Sequence, residues 1–219
     1  MKILGIDEAG RGPFIGPMYI AGFLLDESFL NKLTELGVKD SKLLSKNRRE
    51  SIYLSLIKIG KYKLIDVQPK EIELMSKIGI NLNKLEMIKM SEIVNELKPD
   101  VVYIDCPSTN TKKFVEEFKI LLKNKNLKII AEHKADYKYP IVGAASILAK
   151  VNRDNFIKNL HKEIGYFGSG YLTDEDTINF LKNNFSKIKD HPQIRKTWET
   201  YNTLLKEKEQ KSLNSFFFK

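Results

Sequence analysis

A single cysteine, Cys106, leaves the 219-residue chain unable to form an intrachain disulfide and points to a reducing compartment. Three histidines, His133, His161 and His191, are scattered without metal-ligand spacing, which argues against a histidine-built metal site. No stretch approaches the ~20 apolar residues that span a bilayer. The opening Met1-Lys2-Ile3-Leu4-Gly5 starts a strand-like run directly, without the basic start and long apolar core of a signal peptide. Internal repeats and low-complexity linkers are missing too. A soluble, cytoplasmic protein is expected, with no membrane partner. It is expected to be a monomer, because the sequence shows no dimer seam.

What the chain does have is charge. Hydrophobic residues make up 42% and charged residues 30%, enough for one sizeable core under a heavily charged surface. Lys and Arg number 37 against 28 acidic residues, a net charge of +9. Such an excess suits a polyanion, since each neutralised phosphate releases counterions. A surface tuned for solubility or heat gives the same count, so charge alone leaves both open.

Short apolar runs alternate with helical periodicity along the chain. Lys2–Ile6 reads as a buried strand running into the glycine-rich Asp7-Glu8-Ala9-Gly10-Arg11-Gly12-Pro13, and Met18–Leu25 as a second strand. Glu27–Leu36 reads as a helix, another starts after Ser45, and Lys63–Val67 is a weaker strand. Leu82, Leu85, Ile88, Ile93, Val94 and Leu97 form a helical stripe. Val101–Asp105 and Leu127–Ile130 read as strands, with a helix around Phe114–Leu122 between them. From Ile141, small residues suggest a helix packed closely on a sheet; Gly165–Gly170 is a loop, and the remainder reads as basic and helical. The expected class is α/β, a layered sheet flanked by helices with a helical C-terminal extension.

Three acidic positions fall where strands are expected to run out: Asp7-Glu8, Asp105 and Asp136. Strand ends of open α/β sheets commonly host active sites, because the strand fixes the side chain and the loops shape a crevice. Carboxylates converging there repel one another unless divalent cations, which prefer oxygen ligands, neutralise them. Aspartate also caps turns routinely, so position alone decides nothing. Neighbours on a regular strand face opposite ways; Asp7 and Glu8 share a site only if the strand ends at Asp7 and the turn bends Glu8 back.

The motifs are more specific. Asp7-Glu8-Ala9-Gly10-Arg11-Gly12-Pro13 resembles the N-terminal signature of type 2 ribonucleases H, the ribonuclease HII family. Asp40-Ser41-Lys42, Asp105, Asp136 with Ala144–Asp154, and Gly168–Asp174 follow in the family's order, over about the first 200 residues, in a form closer to archaeal than bacterial members. The resemblance implies a ribonuclease H-like fold, a central mixed sheet flanked by helices plus a small helical C-terminal domain. It implies cleavage dependent on Mg²⁺ or Mn²⁺, leaving a 3′-hydroxyl and a 5′-phosphate, with Asp7, Glu8, Asp105 and Asp136 as metal-binding catalytic carboxylates. The implied substrates are RNA–DNA hybrids and duplex DNA carrying single ribonucleotides, encountered in replication and repair. The Gly10-Arg11-Gly12 turn would read the ribose 2′-hydroxyl and Tyr171 would stack on the next sugar, while Lys42, Ser146 and Lys150 are candidate phosphate contacts. As a phosphate loop the turn fails, since no Gly-Lys-Ser/Thr follows it.

The expected division is a catalytic domain over 1–165, a helical domain over 166–209, and a tail over 210–219. In that tail Gln210, Leu213, Phe216 and Phe217 have the spacing of peptides that dock on the sliding clamp PCNA, with three anchors on one helical turn. Trp198 and Tyr201 are read as packing the last helix down, Cys106 as buried and inert, and His133 as structural at the sheet edge. Two rivals stand: another nuclease of the same fold cutting all-DNA substrates, which the glycine turn and Tyr171 argue against, and a non-catalytic DNA-binding clamp adaptor.

Overall fold

The structure is a computed structural model that describes residues 1–38 and 44–207. Five strands form one mixed sheet in the order β3-β2-β1-β4-β5. They are β1 (Lys2–Ala9), β2 (Met18–Asp26), β3 (Lys61–Val67), β4 (Val101–Asp105) and β5 (Lys128–Glu132). β1 pairs antiparallel with β2 and parallel with β4, and β4 pairs parallel with β5. The α/β class with helices flanking a mixed sheet is therefore as the sequence implies.

Eight α-helices connect and cover the strands among the described residues bounded at both ends: α1 (Leu30–Leu36), α2 (Lys46–Ile59), α3 (Pro69–Lys77), α4 (Leu82–Leu97), α5 (Thr111–Leu121), α6 (Ala135–Lys138), α7 (Pro140–Ile164) and α8 (Glu175–Ile188). Residues 199–207 are also helical. Ser45 caps α2 by accepting from the Arg48 N–H, the role its position suggested. None of the described helices is long and apolar enough to cross a membrane.

The chain divides into two compact units: Met1–Arg11, Met18–Asp66 and Asn81–Asn155 form one, and Gly12–Pro17, Val67–Ile80 and the chain from Phe156 onward form the other. In the first unit, alternation along β1 gives the sheet two distinct faces. Gly5 lies against the start of α7, so close that a Cβ would sit 2.1 Å from the Ile141 carbonyl oxygen. On the other face, Leu4 packs with Ile93 and Leu97 of α4 around Gly22. Odd positions of β1 thus look to α7 and even ones to α4. In the second unit, Phe14, Ile15, Ile157, Leu160, Phe167, Leu181, Phe185, Ile188, Ile194 and Tyr201 build a separate core.

Two expectations need correcting. β1 does not end at Asp7: β2 pairs with Asp7, Glu8 and Ala9, so the strand runs on past both acids. Residues 189–198 are turns rather than helix, with an isolated bridge between Ile15 and Ile194. Pro192 and the Gly-free but polar run around it were the available signal.

Candidate active site

Pairing between β1 and β4 stops at Ile6–Ile104, so Asp7 and Asp105 emerge together just past the last paired residues. Asp136 comes from α6 rather than from a strand end; β5 finishes at Glu132, and a left-handed Lys134 turns the chain into the helix. One carboxylate oxygen from each of Asp7, Asp105 and Asp136 lies within 4.8 Å of the other two. Asp7 and Asp136 are almost wholly buried, at 5% and 2% exposure.

The local scaffold is specific. Asp7 Oδ1 accepts from the Glu8 N–H at 2.8 Å, and its carboxylate is also held by the hydroxyl of Ser146. Asp105 Oδ1 accepts from the Ala135 N–H at 3.1 Å, tying β4 to the start of α6. Burial pushes the Asp7 carboxyl up to about 7; the Ser146 hydrogen bond opposes this, the charge of Asp105 adds to it, and Lys150 and the Glu8 N–H oppose it. Such crowding of buried acids is what a divalent cation relieves, and three converging oxygens are the donor set that Mg²⁺ or Mn²⁺ favours.

Glu8 stands differently. It projects toward the α4 face, and it is not part of the three-carboxylate group. Burial, then the charges of Asp7, Glu86 and Asp105, hold its carboxyl well above the usual range, with Arg11 pulling the other way. Its Oε2 is buried with no hydrogen-bond partner among the described residues. This carboxylate is thus directed into protein, close enough to the other acids to feel their charge.

Ser146 and Lys150 sit one turn apart on α7, as their spacing suggested, and both act on Asp7. Ser146 is fully buried, so its hydroxyl serves the carboxylate; Lys150 is half-buried. Lys42 lies outside the described residues, as do Gln210, Leu213, Phe216 and Phe217.

Gly10 has a φ of 78°, a left-handed conformation that side chains resist. Gly12 has no such need: its φ is ordinary, it is exposed, and a Cβ there would only touch Tyr171 Cε1 at 3.7 Å. Tyr171 is fixed beside it by a stapled loop. Phe14 N–H donates to the Gly170 carbonyl at 2.7 Å, Gly170 N–H to Thr177 Oγ1 at 2.9 Å, and Thr177 Oγ1 to the Phe167 carbonyl at 2.8 Å.

Sequence reasoning missed three residues near this turn, Asn83, Glu86 and Arg195. Arg11 pairs with Glu86 at 2.7 Å and also bonds Asn83. Arg195, fully buried, donates to the Gly16 carbonyl at 2.9 Å. Trp198 does pack on the second core with Tyr201, as expected, but its indole N–H also reaches the Gly12 carbonyl at 3.3 Å. Cys106 is buried, and burial pushes its thiol up, which suits an inert role.

A family model described as Ribonuclease HII matches residues 4–201. The chain belongs to the ribonuclease HII family. It is 47% identical over 216 residues to a Ribonuclease HII of Methanococcus maripaludis, across 96% of this chain and 90% of that protein. The crystal structure of the ribonuclease H2 from Pyrococcus horikoshii superposes with a TM-score of 0.86 at 41% identity, over 94% of this chain and 98% of that one. The ribonuclease HII in a complex with PCNA from Archaeoglobus fulgidus gives 0.84 at 37% identity, over 92% and 96%. The enzyme is thus a ribonuclease H of type 2, the family of endonucleases that cleave the RNA of RNA–DNA hybrids.

Proposed function

We propose that this ribonuclease HII also nicks duplex DNA on the 5′ side of a single embedded ribonucleotide, by two-metal-ion catalysis leaving a 3′-hydroxyl and a 5′-phosphate. The observation that carries the chemistry is the convergence of Asp7, Asp105 and Asp136 within 4.8 Å in a buried setting. Those three would hold Mg²⁺ or Mn²⁺; Glu8, although it faces α4, has a carboxyl that feels the charges of Asp7 and Asp105 and is proposed as a fourth acid beside them. When bound, the cations supply charge neutralisation at the scissile phosphate and activate water for attack.

The protein's own part is to fix and desolvate. Ser146 and the Glu8 N–H orient Asp7, and the Ala135 N–H orients Asp105. Lys150 brings positive charge to Asp7 and, with Lys42, is proposed to face the phosphates; Ser146 is proposed to act there through Asp7. Gly10, Arg11 and Gly12 form the ribose reader. Gly12 is required by neither its φ nor its neighbours, which fits a backbone that another molecule must approach closely. Tyr171 beside it is proposed to stack on the adjoining sugar and so sense the RNA-to-DNA junction. In this reading residues 1–165 carry the chemistry and 166–209 supply Tyr171.

The test is a DNA duplex with one ribonucleotide and Mg²⁺, against an all-DNA control. A nick 5′ to the ribonucleotide is expected. Cleavage of a long hybrid alone would overturn junction recognition; no cleavage of either, with Mg²⁺ or Mn²⁺, would overturn the metal site and favour the clamp adaptor. Aromatic stacking contributes roughly 1–3 kcal/mol. Tyr171→Ala should therefore lower kcat/KM on the single-ribonucleotide duplex by roughly 5- to 150-fold, with a smaller loss on long hybrids. Equal losses on both substrates would remove Tyr171 from junction sensing.

The same reading gives Gln210, Leu213, Phe216 and Phe217 to a sliding clamp, supported by their spacing and by the PCNA complex of the Archaeoglobus relative. Truncation after Glu209 should abolish binding to purified PCNA in calorimetry. Unchanged affinity would mean that the tail is not the docking element.

A further inference from the structure

We propose that Glu86 and Asn83 are positioning residues that hold the Gly10–Gly12 turn in its ribose-reading form, acting through the guanidinium of Arg11. The inference rests on the reading of that turn given above and deepens it. Arg11 Nε donates to Glu86 Oε1 at 2.7 Å, and Arg11 Nη2 donates to Asn83 Oδ1. Asn83 and Glu86 are three residues apart on α4, so one helix face presents both acceptors to one planar fork.

The cost of this arrangement points to a use. The Glu86 side chain is 0% exposed, while Arg11 remains 38% exposed. Its neighbours in the sequence, Leu85 and Met87, and Met90 one turn on, are buried apolar residues of the same helix. Removing a carboxylate from water costs several kcal/mol, and an apolar side chain at such a position commonly leaves a protein equally or more stable. Packing therefore gives no reason for an acid at 86; a specific partner does.

The turn, for its part, needs an external anchor. Gly10 and Gly12 lose more backbone freedom on ordering than any other residue type. Of the three residues only Arg11 has a side chain, so any side-chain restraint on the turn must pass through it. With two of its donors engaged on α4, the guanidinium plane is fixed, and the flanking amides and carbonyls are set before substrate arrives. Glu86 also neutralises Arg11, which keeps an arginine beside the ribose from binding any phosphate regardless of sugar.

The experiment measures kcat and KM on the single-ribonucleotide duplex, and Kd for an all-DNA duplex, with Glu86→Gln, Asn83→Ala, Arg11→Ala and the Arg11→Ala/Glu86→Gln pair. Positioning predicts a fall in kcat/KM of about tenfold for Glu86→Gln and about threefold for Asn83→Ala, with all-DNA binding not weakened. Adding Glu86→Gln to Arg11→Ala should cost nothing further, because one unit is already broken. A lowered Tm with kcat/KM within about twofold of wild type, additive losses, or a parallel weakening of all-DNA binding would each overturn the proposal. Should Glu86→Gln fail to fold, Asn83→Ala decides alone, since Asn83 is exposed. Wild-type enzyme that leaves this duplex uncut would refute the ribonucleotide reading instead, and the same variants on a long hybrid would then decide the role of Glu86.

Discussion

Asp7→Asn is expected to destroy activity and, without metal, to make the protein more stable. Asp7 is one of three converging acids, and losing its charge should lower turnover by roughly a thousandfold, since Lewis-acid stabilisation is worth several kcal/mol. The stability gain follows from the same crowding. Burial raises the Asp7 carboxyl from 3.8 to about 7. A raised carboxyl contributes stability that is fully present below the unfolded value near 4 and is lost as pH rises through about 7. At pH 8 the metal-free wild type has lost on the order of 4 kcal/mol from this one group. Asparagine keeps an oxygen for the Glu8 N–H but carries no charge to desolvate. Its Tm at pH 8 in chelator should exceed that of wild type by about 5–15 °C, and the two should converge toward pH 4. Adding Mg²⁺ should raise the wild-type Tm and close the gap. A mutant less stable than wild type at pH 8 would mean that Asp7 is held by its hydrogen bonds and not strained by its charge.

The acids themselves were legible because each sits beside a clear signal. Val101–Asp105 is a β-branched run that stops at a carboxylate, and it is a strand with those bounds. The end of β1 was not legible. The glycine-rich run after Ile6 read as the strand giving way to a turn, but β2 supplies partners through Ala9, and pairing across a sheet is invisible to local pattern. The consequence reaches the site: because the strand continues, Glu8 faces α4 while Asp7 faces α7. Asp136 was found by motif and misplaced in structure, since a left-handed Lys134 starts a helix that four residues barely announce.

Residues buried by distant partners were the ones missed. Glu86 lies inside a helical stripe where an acid reads as solvent-facing; it is buried because Arg11, 75 residues earlier, pairs with it. Arg195 is buried by the Gly16 carbonyl, 179 positions away. Helix α3 was not read from the sequence, although Pro69 opens its first turn. For Glu86 and Arg195 the deciding interaction spans far more sequence than any periodicity window.

Gly5→Ala is expected to be among the most damaging of the glycine-to-alanine changes at described positions. The added Cβ would meet Ile141 O at 2.1 Å, Ile141 C at 2.3 Å and Val142 N at 2.6 Å, all backbone atoms at the start of α7. No rotamer change relieves that; either β1 or the helix must move. Overpacking commonly costs 1–3 kcal/mol where side chains can yield, so a backbone clash should cost about 3 kcal/mol or more, lowering Tm by about 6–12 °C. The functional loss should exceed what unfolding explains. Gly5 and Asp7 lie on the same face of β1, and the helix that Gly5 admits also carries Ser146 and Lys150 to Asp7. Gly143, in the same helix, is equally confined, with a Cβ there 2.6 Å from the Val38 carbonyl oxygen, so α7 has little room to retreat without strain. Displacing its first turns by even part of an ångström should pull the Ser146 hydroxyl off the Asp7 carboxylate. Measured well below its Tm, Gly5→Ala should therefore show kcat reduced about tenfold or more, with KM little changed. A stable mutant with full activity would mean that β1 and α7 are not in close contact. A destabilised mutant with normal kcat would mean that the contact holds the fold together, while Asp7 is oriented by the Glu8 N–H alone.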